Sequence, residues 1–383
     1  MKAPSLQKLF LAFLKLGAIS FGGPAMVAYI RRLAVEENAW LDESSFRDGV
    51  ALCQAIPGAT AMQTAAYVGL KVRGVLGAAA SFVGFGLPAF AVMMVLSSLY
   101  VRSHSLPVVA AIFAGLGAIV VAIAANATLS FGRDILISWR RLVIVLAAAV
   151  LLGLGMSPLA VILLSSLMGY MMLKAPPSSP ALQSAATPLR TAGSFIKIIL
   201  TAAAALGLLF LISPRLFALS ALMLKIDVLA FGGGFASVPL MYHEVVDVRA
   251  WLAGPTLLDG VALGQITPGP IVITATFIGY LVSGPLGGVV ATVSVFLPSY
   301  SLVIAVAPYY EKLRSSPRFH KVIGGIFCAF VGLLLSVTVR FATNVSWNLP
   351  RLLLAFGALL ALRLRVNILW VVLAGTALSL VFP

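Results

Sequence analysis

Apolar residues run along this chain in long stretches separated by short polar ones, without the strict alternation of a half-buried strand or the single stripe of a soluble helix. A hydrocarbon core about 30 Å thick is crossed by about 20 apolar residues in a helix. Stretches of that kind cover residues 9–30, 50–70, 74–100, 107–130, 141–156, 158–173, 193–213, 216–242, 259–281, 285–309, 322–342, 349–362 and 366–382. The pattern predicts an all-α polytopic membrane protein of about 13 transmembrane helices. Segments 141–156 and 349–362 are short for a crossing, since at about 1.5 Å per residue the second reaches only about 21 Å. Between the halves, Lys174 to Ala192 is rich in Pro, Ser and Ala and reads as a surface loop.

Composition agrees with the pattern. With 61% hydrophobic residues and only 10% charged, the chain has too little polar surface to cover a soluble globule. The net charge of +15 first suggests nucleic acid, so the distribution of the 26 Lys and Arg matters. With the N-terminus placed in the cytoplasm, seventeen of them fall on the inner side and seven on the outer, which is the positive-inside bias. No loop interleaves a basic cluster with aromatics, so nucleic acid is not expected as a partner.

The chain also repeats itself. Phe21-Gly22-Gly23-Pro24 recurs as Phe231-Gly232-Gly233-Gly234, and Asp48-Gly49-Val50-Ala51-Leu52 as Asp259-Gly260-Val261-Ala262-Leu263. Trp40, Gln54, Pro57-Gly58, Gly69, Gly74 and Leu87-Pro88 are answered by Trp251, Gln265, Pro268-Gly269, Gly279, Gly284 and Leu297-Pro298, always 210 or 211 residues on. The organisation expected is a first repeat unit over 1–174, a loop over 175–192, a connecting span over 193–213 and a second unit over 214–383. An odd number of spans before the second unit inverts it relative to the first, an arrangement that places substrate between repeats near the midplane.

Two of the 26 cations fall inside predicted spans, Lys15 and Lys225, each six residues before its Phe-Gly-Gly. A lysine at mid-helix costs roughly 2.5 to 3.5 kcal/mol on insertion scales. Either the long stems snorkel to the headgroups, or the two ammonium groups face an anion of about two negative charges. Gly22, Gly23 and Pro24 should break the first helix, as Gly232 and Gly233 should break its counterpart. Pro57-Gly58-Ala59-Thr60 and Thr267-Pro268-Gly269-Pro270 predict a second pair of breaks. A break exposes the N–H groups of the next half-helix, whose positive end suits an oxyanion. The bland alternative is that Gly and Pro only permit close packing or a kink.

The candidate substrate-binding set is therefore Lys15, Lys225, Ser20, Gly22, Gly23, Gly232, Gly233, Gln54, Gln265, Gly58, Thr60, Thr267 and Gly269. Gln54 and Gln265 could donate to an oxyanion or cap freed carbonyls. Asp48 and Asp259 begin their helices, where a carboxylate complements the dipole. Asp227, where the first unit has Gly17, lies within a span close to Lys225 and could offset that charge or carry a proton. These three acids are the candidates for proton coupling. Cys53 and Cys328 lack metal-ligand spacing, and the three histidines form no catalytic pattern. No catalytic residue, metal or cofactor is expected, and a membrane scaffold or embedded enzyme is the rival class.

Lys15 with Phe21-Gly22-Gly23, Trp40-Leu41, Gln54 with Pro57-Gly58, and Leu87-Pro88, all repeated in the second half, resemble the chromate ion transporter family in its long-chain, two-unit form. The resemblance covers nearly the whole chain. It implies a multi-pass inner-membrane protein that exports chromate, with sulfate as a related anion and membrane lipid as its surroundings. Chromate and sulfate are tetrahedral dianions, which matches the two-lysine argument. Transport direction, coupling ion and homo-oligomer formation stay open. Ser20 is answered by Ala230, and the first unit has one more residue between its Pro-Gly and Gly69, so its half-helix should start differently.

Overall fold

A computed structural model describes residues 4–21, 25–104, 106–174 and 188–381; the side chains of 188–192, 311, 312 and 381 are outside the description. Every regular element among the described residues is helical. In chain order these are α1 (Leu6–Ile19), α2 (Ala25–Arg31), α3 (Glu43–Ala55), α4 (Thr60–Ser103), α5 (Pro107–Ile135), α6 (Trp139–Gly153), α7 (Pro158–Met172) and α8 (Pro188–Ile212). The second half follows with α9 (Pro214–Leu229), α10 (Ser237–Tyr242), α11 (Gly254–Ile266), α12 (Thr274–Val306), α13 (Tyr310–Arg314), α14 (Pro317–Thr343), α15 (Leu349–Arg363) and α16 (Ile368–Val381).

Five helical stretches are long and apolar enough to cross a membrane: Thr60–Ser103, Pro107–Ile135, Gly193–Ile212, Ile271–Tyr309 and Pro317–Thr343. Pro158–Met172 and Ile368–Leu380 are apolar but shorter. This is the helical make-up of a membrane protein.

Helix ends follow local chemistry. Ser5 caps α1 by accepting from the Lys8 N–H at 3.1 Å, and Asp42 caps α3 by accepting from the Ser45 N–H at 2.8 Å. The Ser44 hydroxyl, with the Ser45 N–H and hydroxyl, holds the Asp42 carboxyl well below the usual carboxylate range. In the same polar turn Arg31 pairs with Glu36 and Glu43. Gly74 (φ 65°) and Gly284 (φ 64°) turn the chain inside α4 and α12, each one residue past a non-helical Arg73 or Ser283. The turn lets the two arms close tightly: a Cβ on Gly77 would overlap the Gly69 carbonyl, and one on Gly287 the Gly279 carbonyl.

Two compact units form, and each draws on both halves of the sequence. The first comprises 1–97, 179–237 and 267–315; the second comprises 98–178, 238–266 and 316–383. In the first, α9 packs on α12 and α8. Phe13, wholly buried, stacks on Trp40 and meets Phe85 edge-on. In the second, α14 packs on α5, α6 and α7, and α5 also carries α11, α15 and α16. There Gly169 and Gly325 let α7 and α14 cross closely, an added Gly169 Cβ lying 2.6 Å from the Gly325 Cα.

Candidate functional site

The helices break where Gly and Pro cluster. α1 ends at Ile19 and α2 starts at Ala25, whereas α9 ends at Leu229 and a 3₁₀ turn, Gly234–Ala236, leads into α10. α3 ends at Ala55 and α4 starts at Thr60, whereas α11 ends at Ile266 and a 3₁₀ turn, Ile271–Ile273, leads into α12. The unequal starts match the residue inserted before Gly69. Gly58 (φ 119°), Gly269 (φ 108°), Gly232 (φ 99°) and Gly233 (φ 89°) hold backbone conformations that side chains disfavour.

Within the first compact unit the breaks close on each other reciprocally. The Gly58 N–H donates to the Ala230 carbonyl at 2.9 Å, and the Gly269 N–H donates to the Ser20 carbonyl at 2.8 Å. Each bond joins a break of one repeat to a break of the other. The N–H groups of Gly58 and Gly269 are thus engaged by carbonyl oxygens. The next N–H, of Ala59, donates to the Ser299 Oγ at 2.9 Å. Thr60 stands near the Gly233 backbone, with Oγ1 3.1 Å from the place a Gly233 Cβ would take.

The other candidates separate by environment. Lys15 and Lys225 are exposed, Lys15 on a helix face shared with exposed Leu11 and Ile19. Ser20 is buried and its hydroxyl turns back to the Leu16 carbonyl at 2.7 Å. Gln54 is exposed, whereas Gln265 is buried with its amide nitrogen unpartnered. Thr267 is buried. Gly22 and Gly23 lie outside the described residues.

Asp48 and Asp259 do not begin their helices, since α3 starts at Glu43 and α11 at Gly254. Asp48 pairs with Arg314 at 2.9 Å, both partly exposed. Its counterpart Asp259 accepts instead from the Tyr100 hydroxyl at 2.7 Å. Asp227 is wholly buried, and its Oδ2 accepts from the Ser299 N–H at 2.8 Å and the Ser299 hydroxyl at 2.7 Å.

Two site residues escaped the sequence reading. Gln63 donates to the Pro57 carbonyl at 2.5 Å and keeps a buried, unpartnered Oε1, and Ser299 links Asp227 to the first-repeat break. The signal for Ser299 was present as a repeat difference, Ala89 standing at its place in the first half. In the second compact unit a cavity of about 470 Å³ is lined by apolar side chains such as Ile119, Leu353 and Val371, and offers nothing to an anion.

The chain matches the family model described as "Chromate transporter" twice, over residues 7–170 and 217–380. A protein named as an uncharacterized transporter of Methanocaldococcus jannaschii is 43% identical over 98% of this chain and 94% of its own length. The chromate transport protein of Cupriavidus metallidurans is 33% identical over 92% of this chain and 86% of its own, and the probable chromate transport protein of Synechococcus elongatus is 33% identical over 94% and 90%. No solved structure matches the chain. Two tandem matches, falling on the two halves that repeat one another, make this chain a member of the chromate transporter family.

Proposed function

We propose that the chain is a secondary transporter of a divalent tetrahedral oxyanion, chromate foremost, carried outward across the inner membrane by alternating access. In this reading about 13 spans form two inverted repeats, 1–174 and 214–383, joined by the loop 175–192 and the span 193–213, with the N-terminus cytoplasmic. The names of the relatives from Cupriavidus and Synechococcus support chromate as the substrate.

The observation that carries the reading is the reciprocal pair of bonds, Gly58 N–H to the Ala230 carbonyl and Gly269 N–H to the Ser20 carbonyl. Irregular backbone at membrane depth is tolerated where protein or water lines it, and here each repeat supplies the lining for the other. An oxyanion that took either N–H would have to displace a carbonyl of the opposite repeat. Occupancy and the geometry of the breaks are thereby linked, which alternating access requires. Lys15 and Lys225, reached from outside the packed core, supply the two positive charges, and the glycine N–H groups supply directed donors.

The test is flux of labelled chromate, with sulfate as competitor, in proteoliposomes with and without a pH gradient. Chromate should move, and Lys15→Ala together with Lys225→Ala should abolish most of the flux. Unchanged flux in the double variant would remove the lysines from the site. Absence of chromate and sulfate flux in the unaltered protein would favour a scaffold or embedded enzyme.

A further inference from the structure

The break glycines Gly58 and Gly269 hold similar backbone conformations (φ 119° and 108°), yet one pair of side chains behind them differs in both members at once. Gly17 and Ala89 in the first half become Asp227 and Ser299 in the second. Positions 89 and 299 each abut the break glycine of the opposite repeat. A Cβ on Gly269 would lie 2.8 Å from the Ala89 Cβ, and one on Gly58 would overlap the Ser299 Oγ. An acid therefore stands behind one break only, together with the hydroxyl that connects it.

The connection is a directed chain. The Ala59 N–H donates to Ser299 Oγ at 2.9 Å, and the Ser299 hydroxyl donates to Asp227 Oδ2 at 2.7 Å. The Ser299 N–H adds a second bond to the same oxygen at 2.8 Å. Asp227 Oδ1 is buried and has no partner. The carboxyl thus engages one oxygen fully and leaves the other bare, with room for one proton.

Among the described residues, the hydrogen bonds to this carboxyl come from Ser299. α12 contributes Ser299 and Tyr300, whose hydroxyl donates to the Val75 carbonyl at 3.1 Å. α9 carries Lys225 and α8 carries Lys197, both exposed, while the Arg190 side chain lies outside the description. The break itself contributes Thr60 and Gln63, neither of them ionisable. On the proposed spans Asp227 is an intramembrane acid, and such a group is a functional site by default.

We propose that Asp227 and Ser299 form a proton-binding site whose occupancy sets how firmly the Pro57–Thr60 break is held, making the proton the coupling ion. With the carboxyl ionised, the Ser299 bond is charge-assisted and fixes the hydroxyl with its lone pairs toward Ala59. With a proton bound, that bond becomes neutral, about half as strong, and the hydroxyl is free to turn. The coupling rests on the transport reading, whereas the proton site stands apart from it.

Two readouts separate these. Infrared difference titration of the protein in lipid should show a protonated carboxylic acid band that disappears in Asp227→Asn and shifts in Ser299→Ala. A band unchanged in Asp227→Asn overturns the site. In vesicles, a pH gradient should accelerate oxyanion flux several-fold in the unaltered protein, while Asp227→Asn should exchange anion without responding to the gradient. A response that persists in Asp227→Asn, or one that follows sodium instead of protons, overturns the coupling. If no oxyanion moves in the unaltered protein, the transport reading fails while the infrared titration still decides the site. Should Asp227→Asn not fold, the pair Asp227→Gly with Ser299→Ala installs the residues of the first repeat and is judged by the same readouts.

Discussion

Replacing Gly58 by alanine separates two costs that the structure assigns to one position. Gly58 has φ 119°, and its added Cβ would overlap the Ser299 hydroxyl and come within 2.7 Å of the Gln63 amide nitrogen. Holding a side-chain residue in such a conformation costs about 1–3 kcal/mol, and overpacking a filled site costs about 1–3 kcal/mol more. Gly74 isolates the first cost: its φ is 65° and an added Cβ would meet nothing within 4 Å. Gly74→Ala should therefore cost about 1–3 kcal/mol, and Gly58→Ala about 2–6 kcal/mol by combining both terms. Gly269→Ala, with φ 108° and the Ala89 Cβ 2.8 Å away, belongs with Gly58→Ala. The assay is heating of purified protein in detergent followed by the fraction that stays monodisperse on size exclusion. The ranking expected is Gly74→Ala least affected, with Gly58→Ala and Gly269→Ala melting well below it. A Gly58→Ala protein as heat-resistant as Gly74→Ala would refute the packing of the break against Ser299.

Tyr100→Phe leaves the Asp259 Oδ2 without its donor and should cost about 1.5–3 kcal/mol, whereas Arg314→Ala at the partly exposed Asp48 pair should cost at most about 1 kcal/mol; thermal melts giving the reverse order would contradict the difference drawn between these two aspartates. The Asp42 cap depends on pH, because hydrogen bonds from Ser44 and Ser45 depress its folded pKa. Its contribution is complete above the ordinary carboxylate value of about 4 and is lost as pH falls through the lower folded value. Amide exchange at Ser45, normalised to its intrinsic rate, should accelerate in that acid window, and Asp42→Asn, which still caps, should remove the pH dependence. Gly169→Ala drives a Cβ to 2.6 Å from the Gly325 Cα and should destabilise the α7–α14 crossing by about 1–3 kcal/mol. Gly357→Ala, with open space around it, should stabilise α15 by up to about 1 kcal/mol; equal signs in the two melts would argue against the close crossing.

The breaks were legible because their cause is local. Gly22, Gly23 and Pro24, or Pro57 and Gly58, weaken helix wherever they stand, and α1, α3, α9 and α11 each end beside such a cluster. The partners of the freed groups were not legible, since the Gly58 N–H finds a carbonyl 172 residues away at Ala230 and no periodicity encodes that distance. Gly74 and Gly284 mark span ends in the hydropathy pattern, and the structure turns there with helix on both sides. The π-helical turns Arg32–Glu37 and His243–Val248 left no recognisable trace in the sequence, although the repeat places them in equivalent positions. Asp227 was visible as an acid among apolar residues. Ser299, 72 residues on, needed the second repeat difference at Ala89 to be read together with the first at Gly17.

Matched positions of the two repeats also differ in the partners they hold. Asp48 and Asp259 are equivalent, and so are His104 and Arg314, 210 residues apart. In the first compact unit Asp48 holds a permanent cation, Arg314, at 2.9 Å. In the second, Asp259 holds a neutral phenol, Tyr100, whose ring stacks on His104 at 5.3 Å between centroids. On the alternating-access reading proposed above, equal partners would leave the two states balanced, and partners of different chemistry would tilt that balance by whatever their strengths differ. The Gly17 to Asp227 and Ala89 to Ser299 exchange would act in the same sense at the breaks. Duplication thus leaves the two repeats with shared glycine turns, and a few polar exchanges at matched positions make them chemically unequal.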